Sequence, residues 1–321
     1  MKWIAKAIVQ KGIAALPQPE RVNYVFQLRI AKSLPSSDDR FVRKVQRANH
    51  HVGAFLEYGS RSLATATFYE FGVGWDLVVP LAYYALGVER QILVDIRPNI
   101  RTELVEHTLQ RFVRLREELE RELEQPLRPC DARGLVTINE LEQRFGITYL
   151  APRDARATGL PAESVDFISS TDTLEHIPEP DIARILRECR RLLKPEGVVS
   201  FRIDMRDHYS YFDRSISQYN FLKFPRPIWS LANSAVHYQN RLRHSDYIRL
   251  TEAAGLEVLH EALARPTEAE LDHLRRMRIA RSFERYALED LGTKSISLVA
   301  RPSSAAGSDS PGYRLRRATN A

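Results

Sequence analysis

Four groups of residues have the types and spacing to do chemistry. The first is Glu70-Phe71-Gly72-Val73-Gly74, which continues the apolar run Phe68-Tyr69 and leads into Leu77-Val78-Val79-Pro80-Leu81-Ala82. A glycine-rich turn between strand and helix lets a ligand approach the backbone, because no Cβ stands in the way. The second is Asp95, which closes the buried run Gln91-Ile92-Leu93-Val94 about 20 residues past that turn, where a carboxylate can accept hydrogen bonds from ribose hydroxyls. Its competing role is a helix N-cap, since Ile96-Arg97-Pro98-Asn99 follows. The third is His176 in Leu174-Glu175-His176-Ile177-Pro178. Its imidazole titrates near neutral pH and could act as a general base, or it could serve an architectural role. The fourth is Asp204, Asp207 and His208, an acid-x-x-acid-histidine cluster. It could act as a base, hold a divalent ion that lowers the pKa of a hydroxyl, or simply satisfy a loop. No metal-ligand set is assigned from the sequence.

These groups need a frame. Alternation and continuous apolar runs predict a strand from Phe68 into Glu70, strands at 91–95, 147–150, 165–170 and 198–203, and a last pair at 256–259 and 295–300 that suits an antiparallel hairpin at the sheet edge. Ile182, Ile185, Leu186, Cys189, Leu192 and Leu193 recur at helical spacing, which predicts a helix over 181–193 ended by Pro195 and Gly197. Residues 1–66 read as an N-terminal helical cap, 67–301 as the main domain and 302–321 as a disordered tail. Within the main domain, 205–245 is crowded with Tyr, Phe and Trp and reads as a lid or substrate region, or as the core of a small subdomain. Arg241 and Arg243 in this region could hold an anionic group, but read more simply as solvated arginines. Residues 126–146 form an extra segment to which no function is attached.

Composition narrows the classes. Lys and Arg number 47 against 41 Asp and Glu, a net charge of +6, without the basic blocks interleaved with aromatics that mark a nucleic-acid surface. Cys130 and Cys189 form neither a C-x-x-C pair nor a disulfide framework, and Cys189 belongs to the apolar face of its helix. A reducing, cytoplasmic setting is expected. No apolar run reaches the ~18 residues of a membrane span. The segment Met1–Leu16 is amphipathic, with Lys2 and Lys6 opposite Ile4 and Ile8, and offers peripheral membrane contact as an alternative to packing on the core.

The order of motifs over 67–205 resembles the class I S-adenosylmethionine-dependent methyltransferases of the type 11 group, the broad group around ubiquinone and small-molecule methylases. Their pattern, E-x-G-x-G-x-G, an acid after the second strand, D-A before L-P, S-F-D, L-E-H-I-P and L-K-P-G-G, is matched here. The matching residues are Glu70, Gly72, Gly74, Asp95, Asp154, Ala155, Leu160, Pro161, Asp166, Leu174–Pro178, Leu193–Pro195 and Gly197. Asp76 and Glu196 stand where glycine is usual. A dinucleotide fingerprint fits less well, because Leu77 occupies the position of its third glycine. No G-K-[ST] follows the turn, so a P-loop is excluded.

The resemblance implies an α/β fold with a Rossmann-like, mostly parallel seven-stranded sheet and helices on both faces. It implies S-adenosyl-L-methionine as cofactor, held by Glu70, Gly72, Gly74, Asp95, Asp154, Ala155, Ser170 and Thr171, with Asp154 and Ala155 at the adenine and Ser170 and Thr171 toward the methyl end. Catalysis would fall to His176, Asp204, Asp207 and His208. The expected reaction is methyl transfer to an oxygen or nitrogen of a small-molecule or glycan-type acceptor. The alternatives are an RNA or protein methyltransferase, or a non-catalytic cofactor-binding protein.

Overall fold

The computed structural model describes residues 2–29, 34–132 and 137–303. Three helices come first, α1 (Lys2–Ala14), α2 (Pro19–Arg29) and α3 (Asp38–Tyr58). Then follow β1 (Thr67–Phe71), α4 (Val78–Ala85), β2 (Arg90–Val94), α5 (Thr102–Arg114), α6 (Arg116–Leu123), α7 (Ile138–Phe145), β3 (Ile147–Leu150), β4 (Val165–Thr171), α8 (Glu179–Leu192) and β5 (Leu193–Asp204). The remaining elements are α9 (Arg226–Ala232), α10 (His244–Ala253), β6 (Leu256–Leu263), α11 (Glu268–Arg276), α12 (Leu288–Gly292) and β7 (Ser295–Pro302).

The seven strands form one sheet in the order β3-β2-β1-β4-β5-β7-β6. The first five pair in parallel, while β7 runs antiparallel to both β5 and β6. The expected antiparallel pair at the sheet edge is therefore present, although α11 and α12 intervene in sequence. Pro302 closes β7, and of the expected tail, residues 304–321 lie outside the described residues.

Strand side chains alternate between two cores, as the pleat requires. Phe68, Phe167 and Val198 point to a core shared with α3, α4 and α5. Their neighbours Tyr69, Ile168 and Val199 point to the opposite core, shared with α8 and α10. Phe55 of α3 meets Phe68 and Phe167 at ring separations of 5.0 and 5.5 Å. Truncating such a buried ring costs about 3–5 kcal/mol. Thus α3, from the segment read as a cap, packs directly on one face of the sheet. On α8, Ile182, Ile185, Leu186, Cys189 and Leu192 are buried at helical spacing, as expected, but the helix ends at Leu192 and β5 begins before Pro195 and Gly197.

The aromatic region 205–245 folds around a third core. Tyr209, Tyr219, Phe221 and Trp229 pack with Ala7 of α1 and with Leu274, Phe283 and Leu291. The two arginines read as solvated are buried here. Arg243 is 0% exposed and donates to the carbonyls of Met205, Leu291 and Thr293. Arg241 donates to the carbonyls of Phe221 and Phe224 and lies over the rings of Trp229 and Phe283. Their guanidinium groups bind backbone carbonyls from distant segments of the chain, which is why charge patterning alone misplaced them.

Candidate active site

Strand order reverses at β1, whose neighbours are β2 on one side and β4 on the other. In an open parallel sheet this reversal opens a crevice at the carboxyl ends of the strands. Glu70 and the turn Gly72–Gly74 leave β1 there, Asp95 leaves β2, and Thr171 and Asp172 leave β4.

The turn is built for close approach. Gly72 has φ 74° and Gly74 has φ 72°, in the region that glycine adopts without strain. A Cβ on Gly72 would lie 2.3 Å from Thr173 Cγ2, so this glycine is required by the protein's own packing. A Cβ on Gly74 would meet no atom within 4 Å. The space over Gly74 is therefore open to a ligand rather than filled by the protein.

Glu70 is buried, and its Oε2 has no hydrogen-bond partner, while Oε1 faces Thr171 Oγ1 at 3.5 Å. Burial pushes its pKa up to about 8. Asp95 is also buried, which raises its pKa to about 6; its Oδ1 accepts from Asn99 Nδ2 at 3.2 Å and from the Arg97 amide at 3.5 Å. The next helix, α5, starts at Thr102 with Arg101 as its N-cap, so Asp95 does not cap it. A carboxylate offers about four acceptor positions, which leaves Asp95 capacity for hydroxyl donors. An orphaned carboxylate oxygen, an open glycine turn and a second buried acid on the adjacent strand fit a ligand of the S-adenosylmethionine type.

The residues expected at the adenine are arranged differently. Asp154 is bound by Arg156 through both oxygens, at 2.6–3.0 Å, which holds its pKa below the usual range, and Arg156 also binds Asp181. Ala155 packs at the edge of the core. Ser170 is buried and donates to the Phe71 carbonyl at 3.3 Å. Thr171 lies between Glu70 and His51, whose Nε2 is 3.2 Å from its Oγ1.

At the other end of the crevice, three of the residues singled out in the sequence, His176, Asp204 and His208, gather with others. His176 Nδ1 lies 2.7 Å from the Tyr238 carbonyl, so it donates there and its Nε2 carries the lone pair. Crowding by protein groups lowers the His176 pKa although the residue keeps an exposed edge. The His176 and His208 rings are 5.0 Å apart. His208 is held neutral by burial, its pKa lowered to about 3, and its Nε2 has no hydrogen-bond partner. Asp204 accepts two bonds at 2.9 Å from the Arg206 guanidinium and one from the Tyr211 hydroxyl. Burial would raise its pKa, but these donors bring it below the ordinary value. Asp207 faces elsewhere: it is 0% exposed, caps residues 208–211 through the Tyr209 amide and accepts from Asn220. Its role is to hold the loop that carries His208.

Several contributors escaped the sequence reading. Lys44, Arg47 and His51 lie at i, i+3 and i+7 on α3, beside its buried stripe. Lys44 Nζ binds both oxygens of Asp76 at 2.8 and 2.9 Å, Arg47 pairs with Asp172, and His51 reaches Thr171 and Ser200. Asp172 adopts φ 48°, an uncommon conformation for a non-glycine residue, at the lip of the crevice. Glu175 is buried, its Oε2 lacks a partner, and burial together with the charge of Asp172 pushes its pKa well up. A polar stripe adjoining the apolar stripe of α3 was the available signal.

Comparison with known proteins agrees with this frame. Residues 134–201 match the model of a family described as Methyltransferase domain. Ubiquinone biosynthesis O-methyltransferase of Pseudomonas putida is 28% identical over 39% of this chain and 50% of its own length. The Coxiella burnetii protein of the same name is 26% identical over 37% of this chain and 47% of its own length. The chain thus spans about half the length of the curated relatives it matches. An S-adenosylmethionine dependent methyltransferase structure from Mesorhizobium loti aligns over 80% of this chain and 99% of its own, at 15% identity and a TM-score of 0.40. Residues 134–201 are thus similar to a methyltransferase domain, and the strand order and glycine turn resemble those of the class I S-adenosylmethionine-dependent methyltransferases.

Proposed function

We propose that this protein transfers a methyl group from S-adenosylmethionine to an oxygen or nitrogen of a small-molecule or glycan-type acceptor. The observation that carries the reading is the pairing of an open Gly74 turn with two buried acids, Glu70 and Asp95, at the reversal of strand order. When bound, the cofactor supplies an electrophilic methyl group on a sulfonium. Glu70 would receive the amino-acid end and Asp95 the ribose hydroxyls. Ala155 and the loop held by the Asp154–Arg156 pair would border the adenine, and Ser170 and Thr171 would line the methyl end.

The acceptor would lie between His176, His208 and Asp204. Nε2 of His176 has a free lone pair with which to take a hydroxyl proton, while Asp204 and Arg206 hold the rim through Tyr211. The names of the relatives favour an oxygen acceptor. Among the described residues no helix is long and apolar enough to cross a membrane.

Calorimetric titration with S-adenosylhomocysteine, with NAD as control, tests the cofactor. Micromolar binding of the first and none of the second is expected. Asp95→Ala should weaken binding more than tenfold, about 1.4 kcal/mol or more, with the fold retained. Unchanged affinity in that variant would refute the placement of the ribose.

A further inference from the structure

Glu175, His176 and His208 each offer a ligand atom, and these atoms lie within 4.8 Å of one another. The three come from different segments, the turn after β4 and the loop after β5, so their convergence is a property of the fold. A third imidazole, His237, stands behind His208 at a ring separation of 6.2 Å. The hydrogen-bond state of the group is unusual. Glu175 Oε2, His208 Nε2 and His237 Nε2 are all buried without partners. Buried polar atoms are almost always paired, so the unpartnered atoms of Glu175 and His208, two members of this one group, call for a common partner. None of the arginines nearby fills that role: Arg206 is committed to Asp204, and Arg243 to backbone carbonyls.

We propose that Glu175, His176 and His208 bind a divalent transition-metal ion of the zinc type. Two imidazoles and one carboxylate suit zinc, iron(II) or manganese better than magnesium, which prefers an all-oxygen shell. Ligand atoms on tetrahedral zinc sit about 3.3 Å apart, given bonds of about 2.0–2.1 Å, so the ion would draw the set inward through side-chain rotation. The outer partners are in place. His176 donates its Nδ1 proton to the Tyr238 carbonyl, which fixes the tautomer that presents Nε2, and Glu175 Oε1 accepts from the Asp204 amide at 3.4 Å. His176 keeps an exposed edge, which gives the ion a way in.

The site deepens the reading of the acceptor end given above, but ion binding itself does not depend on that reading. With the ion in place, the two imidazole lone pairs are used as ligands. Removal of the acceptor proton is then favoured by coordination of its hydroxyl oxygen to the ion, the proton leaving to solvent.

The test is titration of the metal-stripped full chain with zinc chloride, followed by metal analysis after dialysis. About one zinc per chain is expected, with His208→Ala and Glu175→Gln each weakening binding roughly tenfold or more, in samples that still bind S-adenosylhomocysteine. If the variants fail to fold, the wild-type chain loaded with cobalt(II) decides: intense visible bands of a four- or five-coordinate ion support the site, and the weak spectrum of the aqueous ion overturns it. No zinc binding by the wild type, or zinc binding unchanged in both folded variants, also overturns it. Zinc binding without S-adenosylhomocysteine binding would leave the metal site standing and refute the cofactor reading instead.

Discussion

Lys44 on α3 grips both carboxylate oxygens of Asp76, at 2.8 and 2.9 Å, at the place where the glycine turn usually ends in a third glycine. The departure from the family pattern therefore comes with its own counter-charge, supplied from 32 residues earlier in the chain. Asp76 is further fixed by its carbonyl, which accepts from the buried Thr108 hydroxyl at 2.8 Å. Lys44 ties α3 to the entrance of α4, and so helps to hold the turn open.

Lys44→Ala should leave the Asp76 carboxylate nearly buried and unpaired. The half-open position of Lys44 limits the loss to about 1–2 kcal/mol, read as a lower urea midpoint. The double variant with Asp76→Asn should recover part of it. Equal midpoints in wild type and Lys44→Ala would show that the pair contributes nothing.

The two glycines of the turn should respond differently to alanine. Gly72→Ala drives a Cβ into Thr173 and should lower thermal stability by several degrees. Gly74→Ala meets no protein atom, so only its positive φ costs stability, about 1–2 kcal/mol, while cofactor affinity should fall at least as far as in Gly72→Ala. Retained S-adenosylhomocysteine affinity in Gly74→Ala would contradict a cofactor lying over that residue.

Two buried groups that share Thr171 give the protein opposite pH responses. His51 has its pKa lowered by burial from 6.5 to about 3, so the unfolded chain binds its proton first, and stability falls as pH drops below about 6.5. Glu70 has its pKa raised by burial from 4.5 to about 8, so the folded chain keeps the proton, and stability falls as pH rises from about 4.5 toward 8. Each contributes a slope of up to about 1.4 kcal/mol per pH unit within its window. Urea melts of Glu70→Gln should show a gain over wild type that grows from pH about 5 to pH about 8 and then levels. A gain that stays constant with pH would mean that Glu70 is not protonated in the folded chain.

Arg243 should be among the residues least tolerant of change. Arg243→Met keeps length and apolar contact with Phe221 but leaves the carbonyls of Met205, Leu291 and Thr293 without their donor. A loss of about 3–5 kcal/mol is expected from equilibrium unfolding. A loss below about 1 kcal/mol would mean that water replaces the guanidinium.

Much of the frame was legible in the sequence because it rests on local rules. Alternation along Phe68-Tyr69 and Phe167-Ile168 reveals strands buried on both faces, and the 3.6-residue period of Ile182 to Leu192 reveals α8. Gly72 and Gly74 announce a turn because no other residue adopts positive φ so readily. Asp95 was legible because the connection from β1 through α4 to β2 has a nearly fixed length.

The rest depended on contacts between residues far apart in the chain. That Arg241 and Arg243 are buried could not be read from their charge, since their partners are carbonyls of 205, 221, 224, 291 and 293. That Asp154 is held by Arg156, or that Asp207 serves as a cap, is decided by loop geometry, which sequence periodicity does not encode. The sequence by itself determined the strands, the glycine turn and the acids beside it, because backbone sterics and hydrophobic period act within a few residues. Only the tertiary structure decided that Lys44, Arg47 and His51 reach the crevice and that Glu175, His176 and His208 converge, because their closeness exists only once the sheet has brought distant segments together.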